Sequence, residues 1–596
     1  MNKIKYRIIA FIMCTSMLMS CSAVTDNITS VSSDENSENS NIELDIKTMS
    51  EKLAEYEEND FYTDWENENP NYIDLNGTSA EINGSGAKIN ENIITIKTAG
   101  TYVVSGKLNN GQIVVDSDSD GAVKLVLNNA EINCLDNAPI YIKNAEKTII
   151  SLADKTENFV TDGSSYVLAG ESADEPSAAI FSKDNMTING SGTLTVNANY
   201  NDGITGKDNL LITGGNIIIN SVDDGLIGRD LLAVKDGNIT IDSQGDGIKT
   251  TNDTDEEKGN ILLENGTYII TSKADGIQAE KNIEILDGKY TINSADDSIH
   301  SNNTLDISGG TFIINSGDDG IHADSMINIK GGSINIIESY EGIESAVINI
   351  SDGDVNVKAS DDGINVAGGN DGSSVNGRER SDAFASSGDY ILNITGGNVY
   401  LDSDGDGLDS NGSIYMSGGT VVVNGPTSNG NGALDYNQTF EISGGLLIAA
   451  GSSGMAQAPS ETSTQNSLLI NYSQKQSAGT LVNITDDSGN SIITFMPKKE
   501  YQTLVVSSPD LKLDSTYQLY YGGTADDMGN SGTKLTDFTI SKAVLSISDN
   551  GEEVTVRGFG QQGGFGGKDR QERPDMNMPE GERPDMSMPQ GERAMP

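Results

Sequence analysis

Carboxylates recur through the middle of this sequence at a fixed step, and they are the residues best placed to do chemistry. Each belongs to a phrase of the form Asp-Gly-Ile: Asp202-Gly203-Ile204, Asp224-Gly225-Leu226, Asp246-Gly247-Ile248, Asp275-Gly276-Ile277, Asp297-Ser298-Ile299, Asp319-Gly320-Ile321, Glu341-Gly342-Ile343, Asp362-Gly363-Ile364 and Asp406-Gly407-Leu408. The steps are 22, 22, 29, 22, 22, 22, 21 and 44 residues. Several phrases carry a second acid, as in Asp223-Asp224, Asp296-Asp297, Asp318-Asp319 and Asp361-Asp362. A period of this size stacks like on like. Equivalent carboxylates then stand about 5 Å apart and repel by roughly 3 to 4 kcal/mol at an effective dielectric of about 20.

Protonation, basic partners or a divalent cation would relieve that repulsion. Basic residues are few near the phrases, and an extracellular setting supplies calcium, which takes about 6 to 8 oxygen ligands. Calcium is therefore the favoured account, with several ions expected. Turn capping by Asp explains one acid before Gly, but not two. The expected ligands are Asp223, Asp224, Asp246, Asp275, Asp296, Asp297, Asp318, Asp319, Glu341, Asp361, Asp362 and Asp406.

Other side chains share the register. The chain's two histidines, His300 and His322, each follow an Ile of the phrase. Stacked imidazoles suit a ligand-lining ladder, with transition-metal ligation as the weaker alternative. Lys207 and Arg229 follow their phrases at equal spacing beside Asp208 and Asp230, which points to local salt bridges. Arg229 and Lys249 would be the bases if the chain were a polysaccharide lyase. An insertion around 367–388 carries Asp371, Arg378 and Arg380, and its arginines suit a bidentate hold on a carboxylate sugar.

The elements that position these residues follow from the remaining pattern. A glycine turn such as Asp287-Gly288, Gly309-Gly310 or Gly331-Gly332 lies about ten residues before most phrases. Between turn and phrase runs a period-two strand, as in Tyr290/Ile292, Phe312/Ile314 and Ile334/Ile336, and a similar strand precedes each turn. The expected fold class is all-β, a parallel β-helix of about 22 residues per coil; propeller blades need about 40 residues. Strands near Leu468–Ile470, Ile492–Phe495, Leu504–Val506 and Tyr517–Tyr521 predict a small C-terminal antiparallel β cap.

The chain has 596 residues, with 37 Lys+Arg against 89 Asp+Glu and a formal net charge of -52. Such a surface excludes nucleic acid as a partner and repels anionic polymers unless cations intervene. Lys3, Lys5 and Arg7 precede an apolar run ending in Leu18-Met19-Ser20-Cys21, a secretory leader whose last residues resemble a bacterial lipobox. Lipidation of Cys21 would anchor a monomer to the outer face of the cell membrane. Of the other cysteines, Cys134 reads as a buried free thiol. The expected organisation is a leader over 1–20, a disordered tether over 21–60, irregular coils over 61–200, regular coils over 201–458, the cap over 459–557, and a Gly/Met/Pro-rich tail over 558–596.

Four segments together carry a family resemblance: Asp362 to Asp371, Gly405 to Gly412, Val423 to Gly430 with Gly432-Ala433-Leu434-Asp435, and Ala450 to Gln457. They resemble the carbohydrate-binding β-helix proteins of clostridial cell surfaces, whose fold is similar to that of pectate lyases. The resemblance covers about residues 75–530. It implies a right-handed parallel β-helix, bound calcium and attachment to plant polysaccharides such as pectin and cellulose, without established cleavage. The matched positions are Asp361, Asp362, Asp371, Asp406, Asp409 and Asp435, without a division of roles among them; Asp371, Asp409 and Asp435 are the expected ligand contacts. Calcium would bridge the acidic face to a uronate-rich chain. Neutral cellulose fits less well, since the one tryptophan, Trp65, lies outside the regular coils and Tyr415 and Tyr436 are weak substitutes. A calcium-dependent pectate-lyase-type enzyme and a purely structural surface protein are the alternatives.

Overall fold

Three short strands and two turns make each repeat, and successive repeats pair strand on strand. The computed structural model describes residues 53–168, 174–368, 390–523 and 532–555. Cys21, most of the tether, Asp371, Arg378, Arg380 and the tail lie outside them. The named elements are β-strands and two 3-10 turns, and most strands join one long, mainly parallel sheet. One coil shows the pattern. Strand Asn282–Ile285 pairs with Thr304–Ile307, Lys289–Asn293 with Thr311–Asn315, and Ile299–Ser301 with the start of Ile321–Ile329. In each case the partners are 22 residues apart, as in Tyr290 opposite Phe312.

Inward side chains form columns along this stack. Tyr268, Tyr290 and Phe312 lie one above another with ring centroids 4.6 and 4.5 Å apart and planes within 7°. Ile270, Ile292, Ile314 and Ile336 form the next column, each about 1% exposed or less. Apolar burial repeated every coil lets the fold lengthen without widening its core.

The two glycines of each coil serve different needs. Gly288, in the turn before a strand, has φ of 127°, a left-handed conformation that a side chain resists. Gly276, in the Asp-Gly-Ile phrase, is there for space, because a Cβ would lie 2.5 Å from the carbonyl oxygen of Ser298 in the next coil and 2.5 Å from Ile292 Cγ2. The sequence pattern suggests turn conformation for this second glycine; its cause is the close approach of neighbouring coils.

The amino end departs from its expected boundary. Residues 54–60 read by composition as tether, yet Asp60 is 0% exposed. Its carboxylate accepts a hydrogen bond from Thr187 Oγ1 at 2.6 Å and pairs with Lys147 Nζ at 2.8 Å. Its carbonyl accepts from Asn189 and Thr213. Trp65 follows in the same segment and packs on Val103, Val126 and Ala153. At the other end, Tyr501–Ser507 pairs antiparallel with both Leu446–Gly451 and Ser467–Gln476, so the last coil runs directly into the next layer. A separate antiparallel sheet comprises Ser491–Phe495, Val482–Asp486, Thr516–Tyr521 and Thr533–Thr539. Cys134 is free and buried.

Candidate functional site: a carboxylate ladder along the coils

The phrase aspartates bind the coils to one another. Asp224 Oδ1 accepts the backbone N–H of Asp246 at 2.7 Å, Asp246 that of Asp275 at 2.9 Å, Asp275 that of Asp297 at 3.0 Å, and Asp297 that of Asp319 at 2.8 Å. Asp362 accepts from Asp406 at 2.5 Å. One oxygen of each of these acids thus caps the coil above. The preceding acid of each doubled pair lies further out in two cases, Asp223 half-buried beside buried Asp224 and Asp296 exposed beside buried Asp297, whereas Asp318 and Asp319 are both buried and Asp361 and Asp362 both half-buried.

A second ladder runs beside the first. The residue after each Ile of the phrase pairs with its counterpart one coil on, giving Lys249, Gln278, His300, His322, Glu344, Asn365 and Asp409 in register. Gln278, Glu344 and Asn365 were not singled out from the sequence, although their place directly after the Ile was readable there. This ladder divides the acids into three neighbourhoods with different electrostatics.

In the first neighbourhood Lys249 Nζ lies 2.6 Å from Asp246 Oδ2 and 3.5 Å from Asp224 Oδ2. Burial disfavours its charge, but those two anions more than offset that and push its pKa above the usual lysine range. Asp202, at the end of the row, is pushed up to about 7 by burial and by the charges of Asp224 and Asp223. Arg229 sits outside this pair and meets Asp230 at 3.2 Å. Lys207 instead pairs with Glu175 at 3.1 Å.

The second neighbourhood holds the histidines. His300 Nδ1 lies 3.3 Å from Asp275 Oδ2, and His322 Nδ1 lies 3.0 Å from Asp297 Oδ2. Burial alone would lower the His300 pKa, but the anions around it, Asp275 and Asp324 foremost, raise it to about 10. Asp275 is pushed up to about 6, chiefly by burial, with His300 opposing the rise. Asp319 is raised well above the carboxylate range by burial and then by the charges of Asp297 and Glu344. Asp296, Asp297 and Asp318 each offer an oxygen within 4.8 Å of the others. Basic groups are thus better supplied to these two neighbourhoods than the sequence suggests.

The third neighbourhood contains acids crowded by other acids. Asp362, Asp406 and Asp409 each offer an oxygen within 4.8 Å of the others. Burial raises Asp362 well above the carboxylate range, and Asp409, Asp406, Glu341 and Asp361 raise it further. Burial likewise pushes Asp406 up to about 7; the Gly432 N–H opposes the rise, while Asp435 and Asp361 add to it. Asp435 accepts a hydrogen bond from Gln457 Nε2 at 2.6 Å. Glu341 accepts one from Asn365 Nδ2 at 2.7 Å. Of the tyrosines, Tyr415 is 41% exposed, whereas the Tyr436 hydroxyl is tied to the Ala458 carbonyl at 2.7 Å.

Comparison with known proteins bears on the same coils. Residues 90–342 and 306–379 match a family described as carbohydrate-binding domain-containing protein. A protein of that description from Acetivibrio thermocellus is 43% identical over 139 residues, which is 23% of this chain and 49% of the relative, so the chain spans about half the length of the curated relative it matches. A solved structure described as the polysaccharide lyase-like protein from C. thermocellum, in a gadolinium derivative, shares 32% identity; the match covers 43% of this chain and 96% of that one, with a TM-score of 0.38. The coils across residues 90–379 belong to the carbohydrate-binding domain family, as the resemblance in the sequence implies.

Proposed function

We propose that this chain is a non-catalytic, calcium-dependent carbohydrate-binding protein that attaches to plant polysaccharides, with uronate-rich pectin as the preferred target and cellulose as a second one. The observation that carries the reading is the third neighbourhood, where three carboxylates converge within 4.8 Å in a chain whose coils match a carbohydrate-binding family. These residues fit calcium: Asp362, Asp406 and Asp409 are hard oxygen donors, and burial first, then neighbouring carboxylates, already raises the first two. Asp296, Asp297 and Asp318 form a second oxygen set. Bound calcium would supply positive charge where an anionic polymer meets a protein of net charge -52. Beside it, Asp435, whose charge acts on Asp406, supplies a polar contact to sugar.

The β-helix is proposed to be right-handed, because parallel strands joined by crossovers take that hand in nearly all cases. We place the protein outside the cell, held to the membrane through a lipid on Cys21 and acting as a monomer. A lyase reading is weaker on the geometry. Lys249 is locked between Asp224 and Asp246 with its proton held more tightly than usual, the reverse of what a base requires.

Glycan-array binding with and without calcium tests the proposal. Calcium-dependent signal on polygalacturonate without unsaturated product is expected. Absorbance from unsaturated product would replace it with the lyase reading, and calcium-dependent melting without any glycan signal would leave calcium as a folding staple alone.

A further inference from the structure

The second neighbourhood has a chemistry that calcium does not explain. His300 and His322 stack with ring centroids 4.6 Å apart and planes within 6°. Each turns Nδ1 toward a carboxylate of the preceding coil, Asp275 for His300 and Asp297 for His322. An Nδ1–H donated to a carboxylate fixes the tautomer that leaves the Nε2 lone pair for a metal. Both Nε2 atoms are buried and neither has a hydrogen-bond partner.

Both Nε2 atoms also face one oxygen, Asp324 Oδ1, at 3.8 Å. That is too long for a hydrogen bond. Around a tetrahedral ion with bonds of about 2.0 to 2.1 Å, neighbouring ligand atoms stand about 3.3 Å apart, so each of these gaps needs to close by about half an ångström. Further oxygen donors lie beside them. Asp319 is 5% exposed, and its Oδ1 is buried without a hydrogen-bond partner. Asp319, His322 and Glu344 offer ligand atoms within 4.8 Å of one another.

We propose that His300, His322 and Asp324 form a site for a divalent transition-metal ion of the Zn²⁺ type, with Asp319 and Glu344 as the nearest further oxygen donors. Imidazole nitrogens favour such ions over calcium, which prefers oxygen alone. The site is therefore chemically separate from the Asp362, Asp406 and Asp409 set. Its ligands come from successive coils, so the ion would staple them together.

The test is calorimetric titration of Zn²⁺ into the calcium-saturated full chain, with Co²⁺ as a spectroscopic probe. The expected result is one Zn²⁺ per chain that calcium does not displace, and visible Co²⁺ bands of the intensity given by low coordination with nitrogen ligands. His300→Gln and His322→Gln should each weaken Zn²⁺ binding by at least about tenfold. Asp324→Asn, which leaves both rings in place, should weaken it too and guards against misfolding of the histidine variants. Asp406→Asn should leave it unchanged. Absence of Zn²⁺ uptake, uptake that calcium displaces, or undiminished uptake in the folded Asp324→Asn and double-histidine variants would overturn the proposal.

Discussion

Asp406→Asn probes the crowded acids most directly, because the substitution keeps the shape of the side chain while deleting its charge. Asp406 is raised from 3.8 to about 7 in the folded chain, with burial as the main cause. A shift of about three units corresponds to about 4 kcal/mol between the protonated and ionised forms. Asp435 and Asp361 contribute through their own charges, so a single substitution should recover about 2 kcal/mol near neutral pH. The sign follows from the direction of the shift. An acid held above its unfolded value costs nothing when it is protonated in both states, and its stability is lost as pH rises through the folded value. Metal-free protein should therefore lose stability between about pH 4 and about pH 7. Thermal melting followed by circular dichroism in chelator reads this. The wild-type midpoint should fall across that window, the Asp406→Asn midpoint should fall less and lie a few degrees higher at the neutral end, and added calcium should flatten the wild-type curve. A wild-type midpoint that does not change with pH in chelator, or a variant with the wild-type slope, would refute the reasoning.

Three further outcomes follow from the same structure. Phe312→Ala opens a gap in the column below Tyr290 and should cost about 3 to 5 kcal/mol, read as a lower urea midpoint with the sheet signal retained at low denaturant. Gly276→Ala forces a Cβ to within 2.5 Å of the next coil and should cost about 1 to 3 kcal/mol; an unchanged midpoint would show that the coils part more easily than their packing indicates. Cys21→Ser should move the full-length protein from the membrane fraction to the soluble fraction in cells and abolish fatty-acid labelling, whereas retained label would place the lipid elsewhere.

The repeating part of the fold was legible because its cause is local and periodic. Ile270, Ile292 and Ile314 recur at one step, and that step sets both the inward column and the register of the acids. The ladder of Lys249, Gln278, His300, His322, Glu344, Asn365 and Asp409 was legible by the same rule, though its amide members drew no attention as residue types. Other features depend on partners far away in sequence. The docking of Asp60 needs Lys147, Thr187 and Asn189, which a run of Asp, Glu and Asn does not announce. Composition also hid the relief of charge. Two histidines and one lysine look too few for so many acids, yet Lys249, His300 and His322 all fall beside the ladder that requires them. The cause of the phrase glycine is not legible locally, since turn rules cannot see the carbonyl of the next coil.

The central claim is that the acidic coils hold polysaccharide through calcium. Its most direct measurement is retention of the full chain on immobilised polygalacturonate in calcium and in EDTA, alongside an Asp362→Asn/Asp406→Asn variant shown to be folded. Calcium-dependent retention that both EDTA and the double variant abolish is the predicted result. Retention that persists undiminished in EDTA, or that the double variant keeps in full, would contradict the account.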